Sequence, residues 1–154
     1  MVQVEGPGWV PTEAYYQCRF EVLRQPLGFE RGAERLDDDI DAVHAYVKGE
    51  KNVIICVGRA HLIPEDSDGS QSDFPGGDGP KTPAFSPLME QKYRPAIQIR
   101  QMGTLLTSRR NGLAAKVLTA LETESKNVFS AKIGLLQARE QAIPFYEAAG
   151  WIVI

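Results

Sequence analysis

The stretch Gln98–Leu118, QIRQMGTLLTSRRNGLAAKVL, changes its hydropathy period in the middle. From Ala96 to Met102 apolar and polar residues alternate, the period of a β-strand with two unlike faces. Beyond the turn, Leu113, Val117, Leu118 and Leu121 fall at i, i+4, i+5 and i+8, one apolar stripe on a helix that ends near Lys126-Asn127. Gly103-Thr104-Leu105-Leu106 and then Thr107-Ser108-Arg109-Arg110-Asn111-Gly112 connect the two. The first N–H groups of a helix have no intrahelical acceptor and the macrodipole is positive there, so such a turn suits a phosphate or pyrophosphate. Gly112 permits close backbone approach, Ala114 keeps the first turn bare, and Arg109 and Arg110 add diffuse positive charge. The motif is neither a Walker loop nor a G-x-G-x-x-G fingerprint. An isolated R-x-x-G-x-A also fits a plain surface turn before a helix, so its neighbours decide.

Downstream, Ile133 to Leu136 reads as a strand, Gln141 to Ala149 as a short helix and Trp151 to Ile154 as a terminal strand. Upstream, Val10-Pro11-Thr12-Glu13 starts a helix whose apolar face carries Tyr15, Cys18 and Val22, widened by Phe20 and Leu23. Gln25-Pro26 and Gly28 end it, and Phe29 to Arg35 is loop. Leu36 to Asp41 holds too much like charge for a core strand and is placed on an exposed turn or short helix. A hairpin follows: His44–Val47, a turn at Gly49–Asn52, and a long strand from Val53 to Ile63 whose run Val53–Val57 is apolar enough to be covered on both faces. Pro64 to about Glu90 is rich in Pro, Gly, Ser and Asp and makes no regular element, with Phe74, Phe85, Leu88 and Met89 as its anchors. Loops longer than about 12–15 residues are usually functional or disordered. The strand–helix alternation predicts an α/β layer fold with a strand–helix–strand unit in the second half.

The 154 residues are enough for one domain (1–154) with a single core, and no internal repeat is visible. A net charge of −3 gives no basic footprint for nucleic acid. No apolar run approaches the roughly 20 residues a membrane helix needs, and the N-terminus lacks the pattern of a secretory signal. Cys18 and Cys56 cannot build a disulfide scaffold or a four-cysteine zinc site and are expected as buried small hydrophobes, in a reduced, cytoplasmic setting. Asp37, Asp38, Asp39 and Asp41 match no calcium loop and read as a solvated acidic face; no metal site is expected.

Gln98–Leu118 resembles, without a gap, the central motif of the GNAT-type N-acetyltransferases. Ala138–Trp151, AREQAIPFYEAAGW, resembles the family's second motif, A-x-x-x-A-x-x-F-Y-x-x-x-G-[FYW], about thirty residues downstream and in the right order. Arg19–Gly28, His44 and Gly58–Leu62 are similar to an uncharacterised bacterial subgroup whose members mostly lack assigned substrates. The resemblance covers nearly the whole chain apart from the Pro/Gly-rich insertion at 64–90 and the end.

This resemblance implies a mixed, mostly antiparallel sheet with a splayed parallel central strand pair, flanked by helices, and acetyl-CoA inserted between the splayed strands. Main-chain groups near Met102, Gly103 and Thr104 would then bond the pantetheine arm. The N–H groups of Arg109, Arg110, Asn111, Gly112, Leu113 and Ala114 would hold the pyrophosphate. Tyr146 matches the family tyrosine that protonates the leaving thiolate; without the family match, Phe145-Tyr146 reads as aromatic packing. The sequence departs from the pattern in having Arg110 where the family usually has glycine and Leu106 where it often has proline. Relatives usually continue through a final hairpin bordering the acceptor site. Its apparent absence predicts an open sheet edge, with a truncated chain, a homodimer partner that completes it, or a shortened enzyme as the readings.

The implied activity is N-acetyl transfer from acetyl-CoA to a primary amine, a small molecule being the expected acceptor, by direct attack in a ternary complex. The alternatives are a CoA-binding regulatory or degenerate domain without turnover, and an α/β interaction module whose motifs are coincidental. His61 and His44 are the candidate bases, imidazole being the side chain that titrates near working pH, and Glu21 is a weaker one. Arg24, Arg59 and Arg100 are candidates to orient an anionic part of the acceptor, with ion pairs to the Asp37–Asp41 cluster as the structural alternative.

Overall fold

The computed structural model, which describes residues 1–154, builds one five-stranded sheet in the order β1-β2-β3-β4-β5. The strands are β1 (Val2–Glu5), β2 (Val43–Lys48), β3 (Ile54–Leu62), β4 (Ala96–Thr104) and β5 (Ile133–Leu135). The first four pair antiparallel in sequence order, and β5 joins β4 in parallel through the crossover helix α2 (Leu113–Phe129). Helix α1 (Glu13–Leu23) follows β1, and the short α3 (Ile143–Ala148) follows β5. The fold class read from the sequence is therefore the one observed.

The two long helices cover opposite faces of the sheet. Val117, Leu118 and Leu121 of α2 pack on Val43, Ala45, Cys56, Ala60, Ile97 and Ile99, and each of these three side chains is worth about 1.5–3 kcal/mol of apolar burial. On the other face Tyr15, Tyr16 and Cys18 of α1 pack on Tyr46, Ile54 and Val57. Helix α1 begins where its sequence indicates: Thr12 Oγ1 accepts from Tyr15 N–H at 3.2 Å. Both layers come unusually close at the β3–β4 pair. A Cβ on Gly58 would lie 2.4 Å from Met102 Sδ and 2.9 Å from Val117, and one on Gly103 would lie 2.4 Å from Val22 of α1. Glycine at these two positions lets both helices sit down on the strands.

Three expectations change. The strand β1 was not legible: VQVE is four residues on a sheet edge and becomes regular only by pairing with β2 through Val2↔Val47 to Glu5↔His44. Trp151 to Ile154 is not a strand. Trp151 Nε1 instead donates to Glu122 Oε1 of α2 at 2.8 Å, and Ile152, Val153 and Ile154 are exposed. Residues 64–90 make no named strand or α-helix, as expected, but with short 3₁₀ turns at Pro75–Gly77 and Ser86–Met89 they pack against the sheet as a strap rather than standing free of it. Phe85 and Leu88 are buried with Ile63, Ala96 and Leu135, and Phe74 packs on Phe29 with ring centroids 4.9 Å apart; Met89 is exposed and anchors nothing.

Candidate active site

The parallel pair β4–β5 is short. It is bonded at Ala96↔Ile133, Ile97↔Gly134 and Gln98↔Leu135, and then β4 runs on alone to Thr104. From Ile99 to Thr104 the main-chain groups pointing away from β3 therefore face a gap, with one side-chain bond from Arg109 Nε to Thr104 O at 3.2 Å. The ladder to β3 is irregular there too. Val57 pairs with Gly103 and Arg59 with Arg100, so Gln101 and Met102 together oppose Gly58, and Gln101 takes φ +57°. This is a bulge, which bends a strand and re-aims its side chains.

The gap leads to the start of α2. The N-cap Gly112 contributes no side-chain cap, and no acidic residue stands in the first turn. The early N–H groups are consequently without acceptors. Thr104, Arg109, Arg110, Gly112, Leu113 and Ala114 line one cavity of about 290 Å³ together with Ser108, Ala115 and Phe145. The arrangement suits a diphosphate at the helix start and an extended arm along the free edge of β4. Arg110 lies at φ +69°, a left-handed conformation costly for a residue with a Cβ, at the position where glycine would have been expected.

Tyr146 stands on α3 with its ring 5.0 Å from Phe145 and 6.3 Å from Trp151, both edge-on. Its neighbour Phe145 faces the Arg109–Ala114 cavity, whereas Tyr146 itself lines a larger cavity of about 1180 Å³ along β5 with Ile97, Leu135 and Trp151. Burial raises its phenol above the usual value, so the hydroxyl is protonated at neutral pH.

On the α1 face the sheet carries a buried polar network, of which the sequence suggested only an alternative pairing of arginines with the Asp37–Asp41 run. Asp39, expected on a solvated face, is buried. It accepts from Arg19 (2.8 and 3.2 Å), Arg59 (2.7 Å), the Tyr16 hydroxyl (3.1 Å) and Leu36 N–H (2.9 Å). Burial alone would push its carboxyl up, but the two guanidiniums and the N–H hold it well below the usual range. Asp38 binds Arg59 through both oxygens, at 2.9 and 3.0 Å. The only advance signal was the co-occurrence of an aspartate run with arginines on the neighbouring helix and strand.

Two expected site residues are absorbed by this network. Arg59, expected at the acceptor, has no exposed side-chain surface and takes the alternative of ion pairs to the acidic run: Nη1 and Nη2 bond Asp38 and Asp39, while Nε is left without a partner. His44, expected as a base, has both ring nitrogens occupied: Nε2 donates to Asp39 O at 2.7 Å, and Nδ1 accepts from the Tyr15 hydroxyl at 2.7 Å. Burial pushes its pKa down to about 4, so it is a neutral packing residue. His61 is also buried and pushed down to about 3, by desolvation and by Arg59. Gln71 of the strap donates to its Nε2 at 2.8 Å, and Nδ1 has no partner. Arg24 and Arg100 reach the strap instead of the acidic run, at Asp73. The cysteines are buried thiols as expected, Cys18 pushed up to about 12 by desolvation.

No protein-family model matches the sequence. Solved structures do match the fold. Glucosamine-6-phosphate N-acetyltransferase from Arabidopsis thaliana is 12% identical, with a TM-score of 0.59 over 100% of this chain and 93% of its own. An acetyltransferase from Trypanosoma brucei is 15% identical, with a TM-score of 0.58 over 100% and 94%. An aminoglycoside N-acetyltransferase in complex with CoA is 12% identical, with a TM-score of 0.51 over 73% and 69%. The chain has the fold of the GNAT-type N-acetyltransferases. No helix is long and apolar enough to cross a membrane, and no three His, Cys, Asp or Glu side chains cluster as metal ligands.

Proposed function

We propose that the protein is an N-acetyltransferase that moves an acetyl group from acetyl-CoA to the primary amine of a small molecule. The carrying observation is the strand pair that parts after Gln98 beside an uncapped, arginine-flanked helix start. In this reading the N–H groups from Arg109 to Ala114 hold the pyrophosphate, and the free edge at Met102, Gly103 and Thr104 bonds the pantetheine arm. The amine nitrogen attacks the thioester carbonyl directly, its C–N bond forms, and the C–S bond breaks. Tyr146 donates its proton to the departing thiolate, which would otherwise be left charged in a poorly hydrated site. His61 is the base of this reading rather than His44, whose ring nitrogens are both held inside the network; the proton goes to His61 Nε2, the nitrogen that carries the lone pair, once the Gln71 amide that now donates to it turns away. The CoA complex of a structural neighbour supports the donor, and two neighbours named for amino-sugar or aminoglycoside acetylation support the acceptor class.

Acetyl-CoA at a hundredfold excess over its Kd should raise unfolding stability by about 2.7 kcal/mol. No thermal shift at saturating acetyl-CoA would remove the reading. Acetyl-CoA consumption with an amine panel then tests turnover, and Tyr146→Phe should lower kcat with little change in acetyl-CoA binding. Binding without turnover across the panel would favour a CoA-binding domain that has lost catalysis.

A further inference from the structure

The buried cations on the α1 face divide into two groups. Arg19 and Arg59 are balanced by Asp38 and Asp39, two charges against two. Arg24 and Arg100 are not balanced. Arg24 donates to carbonyl oxygens only, of Ala33 at 2.9 Å, Leu23 at 3.4 Å and Asp73. Arg100 donates to Ser72 O at 3.0 Å and to the Asp73 carboxylate. Glu34, the other carboxylate near Arg24, is engaged by Arg31, Arg35 and Gly32 N–H. Two guanidiniums thus converge on one strap residue, Arg100 on its carboxylate and Arg24 on its main-chain carbonyl, so Arg24 has no carboxylate partner of its own.

These arginines are built in, and their partner is not. The Arg100 side chain is 5% exposed, whereas that of Asp73 is 39% exposed and belongs to the strap rather than to the sheet. Arg24 is buried and held from outside the strap by the Ala33 and Leu23 carbonyls, with the strap's Phe74 ring 4.5 Å from the guanidinium carbon. Beside them stands Gln101, the left-handed residue of the β4 bulge. Its Nε2 is 3.5 Å from the Asp73 carboxylate, and its Oε1 is buried without a donor. An acceptor oxygen left unpaired in this way costs stability unless a ligand N–H meets it. Cationic groups for a carboxylate and an open oxygen for an amine N–H therefore lie within one side chain's reach, next to the strand edge where β4 and β5 part.

We propose that Arg24, Arg100 and Gln101 form the subsite for an acceptor amine bearing a carboxylate close to its nitrogen, and that Asp73 occupies this subsite as a displaceable internal ligand. The acceptor's carboxylate replaces that of Asp73 on Arg100, and its amine N–H bonds Gln101 Oε1. The strap acts as a gate that neutral amines do not open. The acceptor role rests on the acetyl-transfer reading above; the carboxylate site and its competition with Asp73 do not.

Acetate is the probe for the carboxylate site, titrated into the full chain without acetyl-CoA and followed by amide NMR. In the wild type, acetate should shift the strap amides of residues 71–76. Asp73→Asn should tighten acetate at least tenfold, and adding Arg100→Gln to it should abolish the gain. Arg24→Gln, combined in the same way, serves as the second variant if melting curves show that the Arg100 variant is unfolded. Equal acetate affinity in wild type and Asp73→Asn overturns the proposal. So does a gain that survives loss of either arginine, because the anion then sits elsewhere, at the Arg109–Arg110 turn for example. A separate kinetic arm compares glycine with glycinamide as acceptors in Asp73→Asn. Preference for glycine is the expected result, and preference for glycinamide overturns the assigned acceptor class. Acetate binding as described with no transfer to any amine would remove the acetyl-transfer reading and leave the carboxylate site standing.

Discussion

Replacing Arg110 by glycine should stabilise the protein. Arg110 is held at φ +69° between Arg109 and Asn111, and its exposed side chain makes no hydrogen bond or ion pair. A left-handed backbone costs a residue with a Cβ about 1–2 kcal/mol, a penalty glycine escapes. Glycine also makes the unfolded chain freer, which takes back about 0.5–1 kcal/mol. The net gain is about 0.5–1 kcal/mol, and for a chain of this size about 2–4 °C of Tm per kcal/mol gives a rise of about 1–4 °C. Urea denaturation and calorimetry of the protein without acetyl-CoA would measure it. Arg110→Ala is the control: it removes the same charge but keeps the Cβ, so it should show no such gain. If glycine were no better than alanine, the strain argument would fail. Under the proposed function, the glycine variant should lose less than about tenfold in acetyl-CoA affinity, because an exposed charge contact is worth about 1 kcal/mol or less and the backbone donors remain.

Both histidines are disfavoured as cations in the folded state, His44 near pKa 4 and His61 near 3 against about 6.5 unfolded, so stability should fall as pH drops below 6.5. Each contributes about 2 kcal/mol of loss between pH 7 and 5, and a flat stability profile over that range would contradict the assigned burial. Asp39→Asn should cost about 3–5 kcal/mol by leaving the buried Arg19 guanidinium without a carboxylate partner and that of Arg59 with only the partly exposed Asp38, measurable by chemical denaturation. Gly103→Ala should destabilise by about 1–3 kcal/mol, since the new methyl meets Val22 at 2.4 Å; adding Val22→Ala should recover part of the loss. Strict additivity of the two changes would mean that α1 does not press on β4 there.

The strand–turn–helix at 96–118 was readable because its information is local. A period of two gives way to a helical stripe, and the turn between them has the residue types of a helix start. The same holds for α1, β2 and β3, whose apolar patterns and punctuation lie within short windows. Local pattern failed where an element depended on a distant partner. Residues 2–5 became a strand because β2 offered an edge, and residues 151–154 did not because Trp151 was drawn to Glu122 instead.

Charged residues were the least legible for the same reason. Asp39 has the composition of a surface residue and becomes buried because Arg19 and Arg59, twenty residues away on either side, close on it. Arg24, Arg59 and Arg100 are equivalent as letters, yet one is neutralised by aspartates and two converge on the strap. By itself the sequence determined the layer architecture, the strand feeding an uncapped helix and the residues lining that turn, all properties of neighbouring residues. Only the tertiary structure decided which charges cancel and which stay open, because Coulomb interactions depend on separation and burial in space, and the chain order records neither.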